Sequence, residues 1–211
     1  TVKRTAVTEF KNIRSNGLKA LNLHENDELI DVEVISEDQP MIIGTHNGYA
    51  LSFKSSVVRS MGRSAAGVRG IRLRDEDYVI GAAPLNPDSK VLVISENGFG
   101  KQTPASEYPI KGRGGLGVKT VNVTAKNGPL VGLTTVNGDE DIMLVTDQGV
   151  IIRFDIESVS QTGRSAVGVH LIKMDNGARV ATIAKVDKEV DEETEEATNN
   201  SSQEESQPTE N

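Results

Sequence analysis

Residues 111–123 read KGRGGLGVKTVNV, and the phrase returns on both sides at a nearly fixed interval. Upstream, residues 62–73 read GRSAAGVRGIRL; downstream, residues 163–174 read GRSAVGVHLIKM. Gly67, Gly117 and Gly168 therefore stand at corresponding places, 50 and 51 residues apart. A weaker copy carries Gly17 and LKALNL, again 50 residues earlier. A period of this length marks an array of similar units.

Between these glycines the apolar residues come in short bursts rich in Val, Ile and Leu, at a spacing that suits strands and not helices. One repeat predicts four strands, at 67–73, 78–83, 91–95 and 99–103. Asn97 and Gly98 join the last two as a hairpin, because both residue types tolerate positive φ. Asn47 with Gly48, and Gln148 with Gly149, mark the same turn in the flanking repeats. The glycines at the strand starts are read as backbone devices. The fold class expected is all-β, a propeller-like array of four-stranded blades with a period of about 50 residues.

Composition divides the chain of 211 residues in two. The stretch 187–211 holds ten of the 31 acids and one of the 23 Lys and Arg, leaving 22 cations against 21 acids in residues 1–186. An acidic stretch without aromatics, filled with Glu, Asn, Ser, Gln and Thr, cannot bury enough apolar surface to offset chain entropy, so 187–211 is expected to be a disordered tail. The absence of cysteine excludes disulfides and thiolate metal sites. No apolar run reaches the length of a membrane-spanning helix, and no signal peptide is legible at the N-terminus. A soluble, cytoplasmic protein is expected.

The ends of the array are predicted to be cut. Residues 1–6 align with the fourth strand that begins near Val150, which sets Arg4 opposite Arg153, and the last repeat stops after its second strand. Such a cut leaves unpaired strand edges, which proteins generally avoid. The expectation is a partial chain whose missing N-terminal part supplies at least one more blade.

The repeated G-V-x-x-I/V-x-L/V phrase, the opening TVKRTAVTEF, SSVVRSMGRSAAGVRGIRL, NGFGKQTPASEYPIKGRG and the acidic end together resemble the C-terminal domain of the DNA gyrase A protein over residues 1–186. The resemblance implies a partial β-pinwheel of about the last four blades, in which neighbouring blades exchange strands and duplex DNA wraps around the outer rim. It also implies an ATP-dependent type II topoisomerase whose catalytic tyrosine lies outside this chain. No cofactor is expected in this stretch, ATP and Mg being bound by other regions or by other chains of the enzyme. The implied partners are duplex DNA, the gyrase B protein and a second gyrase A protein in an A2B2 heterotetramer, with no membrane and a nucleoid-associated location. The family's box, QRRGGKG, belongs to its first blade and is expected to lie outside this chain. KGRGGLG is similar to it at Arg113, Gly114, Gly115 and Gly117, and differs at Lys111, Gly112 and Leu116.

Local charge gives an independent reason to consider DNA. Arg59, Arg63, Arg69, Arg72 and Arg74 fall in one acid-free run, and residues 101–126 hold Lys101, Lys111, Arg113, Lys119 and Lys126 against Glu107 alone. Arg164 and Lys173 supply the third copy. Acids collect at 25–38, 75–77 and 139–141, so stacking the repeats would segregate charge on one rim. The candidate DNA-binding residues are Arg59, Arg63, Arg69, Arg72, Lys101, Lys111, Arg113, Gly114, Gly115, Lys119, Arg164 and Lys173. The bland alternative is that Arg63, Arg113 and Arg164 each pair with a neighbouring carboxylate. The acidic tail would compete with phosphate for the rim.

Other chemistry is excluded or weak. Gly112, Gly114 and Gly117 satisfy G-x-G-x-x-G, but a strand pattern follows where a dinucleotide site needs a helix. His24, His46 and His170 are scattered, and no nucleophile with base and orienting group can be assembled. Aromatics at 3% argue against base stacking and leave contact with a duplex backbone. There are two rival readings. One is the DNA-selecting C-terminal domain of the topoisomerase IV A protein; the other, from another class, is a propeller-like protein-interaction scaffold.

Overall fold

The computed structural model of the chain describes residues 1–174 and 177–188; the acidic stretch beyond 188 lies outside them. The fold is all-β apart from single turns of 3-10 helix, and no helix among the described residues is long and apolar enough to cross a membrane. The strands are β1 (Pro40–Thr45), β2 (Tyr49–Lys54), β3 (Val79–Pro84), β4 (Lys90–Ser95), β5 (Phe99–Pro104), β6 (Val118–Lys119), β7 (Leu130–Val136), β8 (Glu140–Thr146), β9 (Ile151–Asp155), β10 (Val169–His170) and β11 (Val180–Asp187). Three antiparallel hairpins form the frame: β1 with β2, β4 with β5, and β8 with β9. Each turn closes the same way. The amides of Gly48, Gly98 and Gly149 donate to the carbonyls of Thr45, Ser95 and Thr146, each at 3.0 Å. The 3-10 turns Ser55–Val57, Ala105–Glu107 and Ile156–Ser158 follow the hairpins.

The sheets correct the simplest reading of the repeat, in which four successive strands make one blade. β3 pairs with β1 and not with β4, β7 pairs with β4, and β11 pairs with β8. The outer strand is also borrowed: β6 pairs with β2, and β10 with β5. The first four-stranded sheet runs β3-β1-β2-β6 and so draws on three successive repeats. At the first of these exchanges the connection contributes. β3 ends on Pro84 and its link to β4 holds Pro87, neither of which can donate to a ladder. Buried Leu85 sits between them and anchors that crossing in the core.

The strand expected at 67–73 is likewise shorter. Only Val68 bridges to Val2, and its counterparts β6 and β10 have two residues each. The chain leaves register there because it is crossing between blades, where the amide of Arg72 bonds the carbonyl of Gly115.

Exchange of strands puts both faces of β4 in the interior. Val91 and Val93 join Ile42, Ala50, Ala83 and Leu133 in one core, while Leu92 and Ile94 join Val136, Ile142 and Leu144 in the next. Neighbouring blades therefore share a strand's apolar faces, and burial at about 25 cal/mol per Å² couples their stabilities. At the edges this coupling is absent among the described residues. No strand covers the outer side of β9, where Ile151 is 58% exposed, and residues 28–36 form no strand, leaving Val34 84% exposed.

Candidate nucleic-acid interface

The three glycine-rich phrases become three loops that run into the Val68–Val2 bridge, β6 and β10. Gly67, Gly117 and Gly168 have φ of +109°, +73° and +92°. A Cβ there would come within 2.5, 2.6 and 2.8 Å of the carbonyl oxygens of Val2, Ala50 and Gly100. Glycine is thus required twice over, for the left-handed backbone and for the close approach. Gly17 shares the conformation at +76°, with nothing within 4 Å of such a Cβ.

Each loop carries one arginine that reaches back to the preceding loop. Arg63 donates to the carbonyl of Lys19 (3.3 Å), Arg113 to that of Arg69 (3.0 Å) and Arg164 to that of Lys119 (3.1 Å). Arg113 adds a second bond, from Nε to the Val57 carbonyl at 3.3 Å. The three acceptors stand two residues beyond Gly17, Gly67 and Gly117, and all three are cations. Because 69 follows 67 in one loop and 119 follows 117 in the next, these bonds link the loops into a continuous belt. The amide of Gly114 also bonds the carbonyl of Gly70.

The belt keeps its charge. Among the described residues, no ion pair joins a carboxylate to Arg59, Arg63, Arg69, Arg72, Lys111, Arg113, Lys119, Arg164 or Lys173. Among the described residues Arg63, Arg113 and Arg164 do not pair with carboxylates, as the bland account would have it; the partners of their guanidinium groups are backbone carbonyls. Several acids are engaged away from the belt. Asp38 holds Lys54, Asp141 holds Arg153, Glu140 takes Lys185 and the amides of Asn137 and Gly138, and Asp155 takes Lys188. Asp77 serves the β1–β2 turn, accepting from Thr45 and the Asn47 amide. Glu107 touches the belt only through the main chain, accepting the backbone amide of Arg164 at 3.0 Å.

Arg59, Arg69, Arg72, Lys111, Arg113, Lys119 and Lys173 are exposed, and Arg63 and Arg164 half-buried. Gly114 is held at φ +80°, whereas Gly115 is exposed and its nearest neighbour, Leu51, lies 3.8 Å from a notional Cβ. Lys173 stands apart from the arginine-linked belt, lining a cavity of about 400 Å³ with Lys126, His170 and Arg179. Lys101 is the correction. It is fully buried, and its ammonium donates to the carbonyls of Gly163 (2.6 Å) and Arg164 (2.5 Å). Desolvation lowers its pKa to about 8, with Glu107 raising it and Arg164 lowering it by smaller amounts. Lys101 therefore supports a loop from beneath and is not part of the exposed surface.

Lys19 and Lys3 were not among the sequence candidates. Lys19 was findable, since cations at 19, 69 and 119 repeat the 50-residue interval. Arg74, half-buried, bonds the Leu116 carbonyl at 2.8 Å and lies 3.4 Å from the Tyr49 ring centroid. Two of the three histidines pack on rings, His46 stacking on Tyr78 and His170 tilted against Phe99, while His24 is exposed. Among the described residues no group of three or more His, Cys, Asp or Glu is placed to hold a metal ion.

Known proteins are similar to this chain in sequence and in fold. The family model described as the DNA gyrase C-terminal domain, beta-propeller, matches residues 1–36, 39–86, 89–137 and 140–187. Curated relatives, the gyrase A proteins of Streptococcus pyogenes and Streptococcus pneumoniae, are 65% identical over 188 residues and 63% identical over 185. These matches cover 89% and 88% of this chain, which spans only 23% and 22% of the relatives' length. Among solved structures, the C-terminal domain of DNA topoisomerase IV superposes with a TM-score of 0.83 at 25% identity, covering 95% of this chain and 63% of that one. The DNA gyrase A C-terminal domain superposes with a TM-score of 0.74 at 27% identity, covering 81% and 58%. The exchanged strands, the fourfold match and the level of identity lead to one conclusion: the chain belongs to the DNA gyrase C-terminal domain, beta-propeller, family.

Proposed function

We propose that this chain binds duplex DNA along the belt of cationic loops and bends it, as the wrapping domain of a gyrase A protein. The observation that carries the reading is the linked series Lys19–Arg63, Arg69–Arg113 and Lys119–Arg164, whose charges no carboxylate neutralises among the described residues. Phosphate attraction follows local charge, so residues 1–186 can bind DNA although their cations and acids nearly cancel. Bending 20–30 base pairs by 40–90° costs on the order of 1–6 kcal/mol, and successive loops divide that cost. Contact through the backbone carries little sequence information, so preference should follow DNA deformability.

In the intact protein this bending would present a DNA segment to the cleavage gate so that ATP-driven strand passage introduces negative supercoils. Its partners would be a second gyrase A protein and two gyrase B proteins, in the cytoplasm and on the nucleoid. The acidic residues beyond 188 would compete with phosphate for the belt, so a 1–188 chain should bind DNA more tightly than the full chain. The solved topoisomerase IV domain superposes more fully, but the 65% identity of gyrase A relatives favours gyrase. The test is a duplex of about 30 base pairs carrying a donor and an acceptor dye at its ends. Binding with rising energy transfer supports wrapping; binding without it leaves a straight-DNA clamp, and no binding favours the protein-interaction scaffold.

A further inference from the structure

Lys101 occupies a register at which the fold does not need a cation. The corresponding positions, two residues before Phe53 and Phe154, are Leu51 and Ile152, so this chain itself builds that strand position with apolar side chains. An ammonium taken out of water costs free energy, and an apolar residue of similar volume is often neutral or stabilising in its place. Its retention calls for a use. The same register is filled by Lys3, whose ammonium donates to the carbonyls of Ala20 and Arg63.

Both lysines stand under a loop of one kind. Lys3 lies under GRSAAG at 62–67, and Lys101 under GRSAVG at 163–168. Leu51 lies under GRGGLG at 112–117, which is tied instead through main-chain bonds to Gly70 and Arg72.

We propose that Lys3 and Lys101 are positioning residues of the DNA-binding belt: each holds the main chain of a cationic loop from beneath, so that Arg63 and Arg164 project at a fixed angle, while the middle loop, over Leu51, is held by its main-chain bonds instead. This rests on the DNA reading above. A buried ammonium also puts positive charge behind the loop where salt screens it less than on the surface. The charged groups facing Lys101 are Glu107 and Arg164, and its pKa of about 8 makes the anchor sensitive to mildly alkaline pH.

The test uses Lys101→Met in the 211-residue chain, read by amide exchange, by affinity for a duplex of about 30 base pairs and by the pH profile of that affinity. Expected are faster exchange at 163–168 but not at 112–117, and an affinity loss of about three- to tenfold. The wild-type affinity should fall through about pH 8, and the variant's profile should be flatter. Lys3→Met, at a half-buried position, should give the same pattern at 62–67 and serves if Lys101→Met does not fold. Lys101→Arg should restore part of the affinity. Wild-type binding with an unchanged variant, or exchange raised equally in all three loops, overturns this inference alone. A wild-type chain that binds no duplex overturns the DNA reading and this inference with it.

Discussion

The guanidinium of Arg113 donates to the backbone carbonyl of Arg69 at 3.0 Å, so one cation is oriented by the main chain of another 44 residues earlier. A carbonyl orders an arginine without neutralising it, whereas a carboxylate would do both. The same relation at Arg63 and Arg164 is why three loops separated in sequence share one charged belt.

Arg113→Ala should therefore weaken DNA binding by about tenfold, the equivalent of ~1.4 kcal/mol. Its two exposed carbonyl bonds contribute little to folding, so stability should fall by no more than about 1 kcal/mol. Anisotropy titration and thermal melting separate the two effects. A large drop in melting temperature with intact binding would assign Arg113 to the fold alone.

Gly117→Ala should destabilise the chain by roughly 2–3 kcal/mol, because the position combines φ +73° with the Ala50 carbonyl 2.6 Å from the new methyl. Gly112→Ala, with nothing within 4 Å and no positive φ, should stay within about 0.5 kcal/mol. Urea unfolding of the pair checks the contrast.

The buried amide of Gln102 donates to the carbonyls of Ile156 (2.7 Å) and Val159 (2.8 Å), joining one blade to the 3-10 turn of the next. Gln102→Leu would leave both acceptors without this donor and should cost about 2 kcal/mol or more. The loss should appear as lower urea stability.

For Lys101 the sign of the pH effect is fixed by its depressed pKa. Between about 8 and the ordinary 10.5, the unfolded chain holds a proton that the folded chain has released. The contribution of this residue to stability therefore rises with pH across that window. Measured as the difference between wild type and Lys101→Met, stability should shift toward the wild type from pH 8 to 10.5. A constant difference would mean that Lys101 titrates normally.

Much of the architecture was legible because glycine and hairpin chemistry are local. Asn97 with Gly98 announces a turn whatever surrounds it, and the 50-residue interval counts the units. Strand exchange was not legible from composition or period, since β3 has the same apolar pattern whether it pairs with β1 or β4; only the family resemblance pointed to it. Lys101 was misplaced because a cation in a strand reads as a surface residue. The corrective signal was Leu51 and Ile152 at the same register, which mark the position as interior. The linkage of Arg63, Arg113 and Arg164 to backbone carbonyls had no signature of its own, because every residue offers a carbonyl.

The central claim, that one connected belt of unneutralised cations binds the DNA backbone, is tested most directly by the salt dependence of affinity in the chain and in an Arg63→Ala, Arg113→Ala, Arg164→Ala variant. About six to nine phosphate contacts give an expected slope of log K against log salt of about −5 to −8, shallower by about 2.7 in the triple variant. A flat response, or the same slope in both proteins, would contradict it.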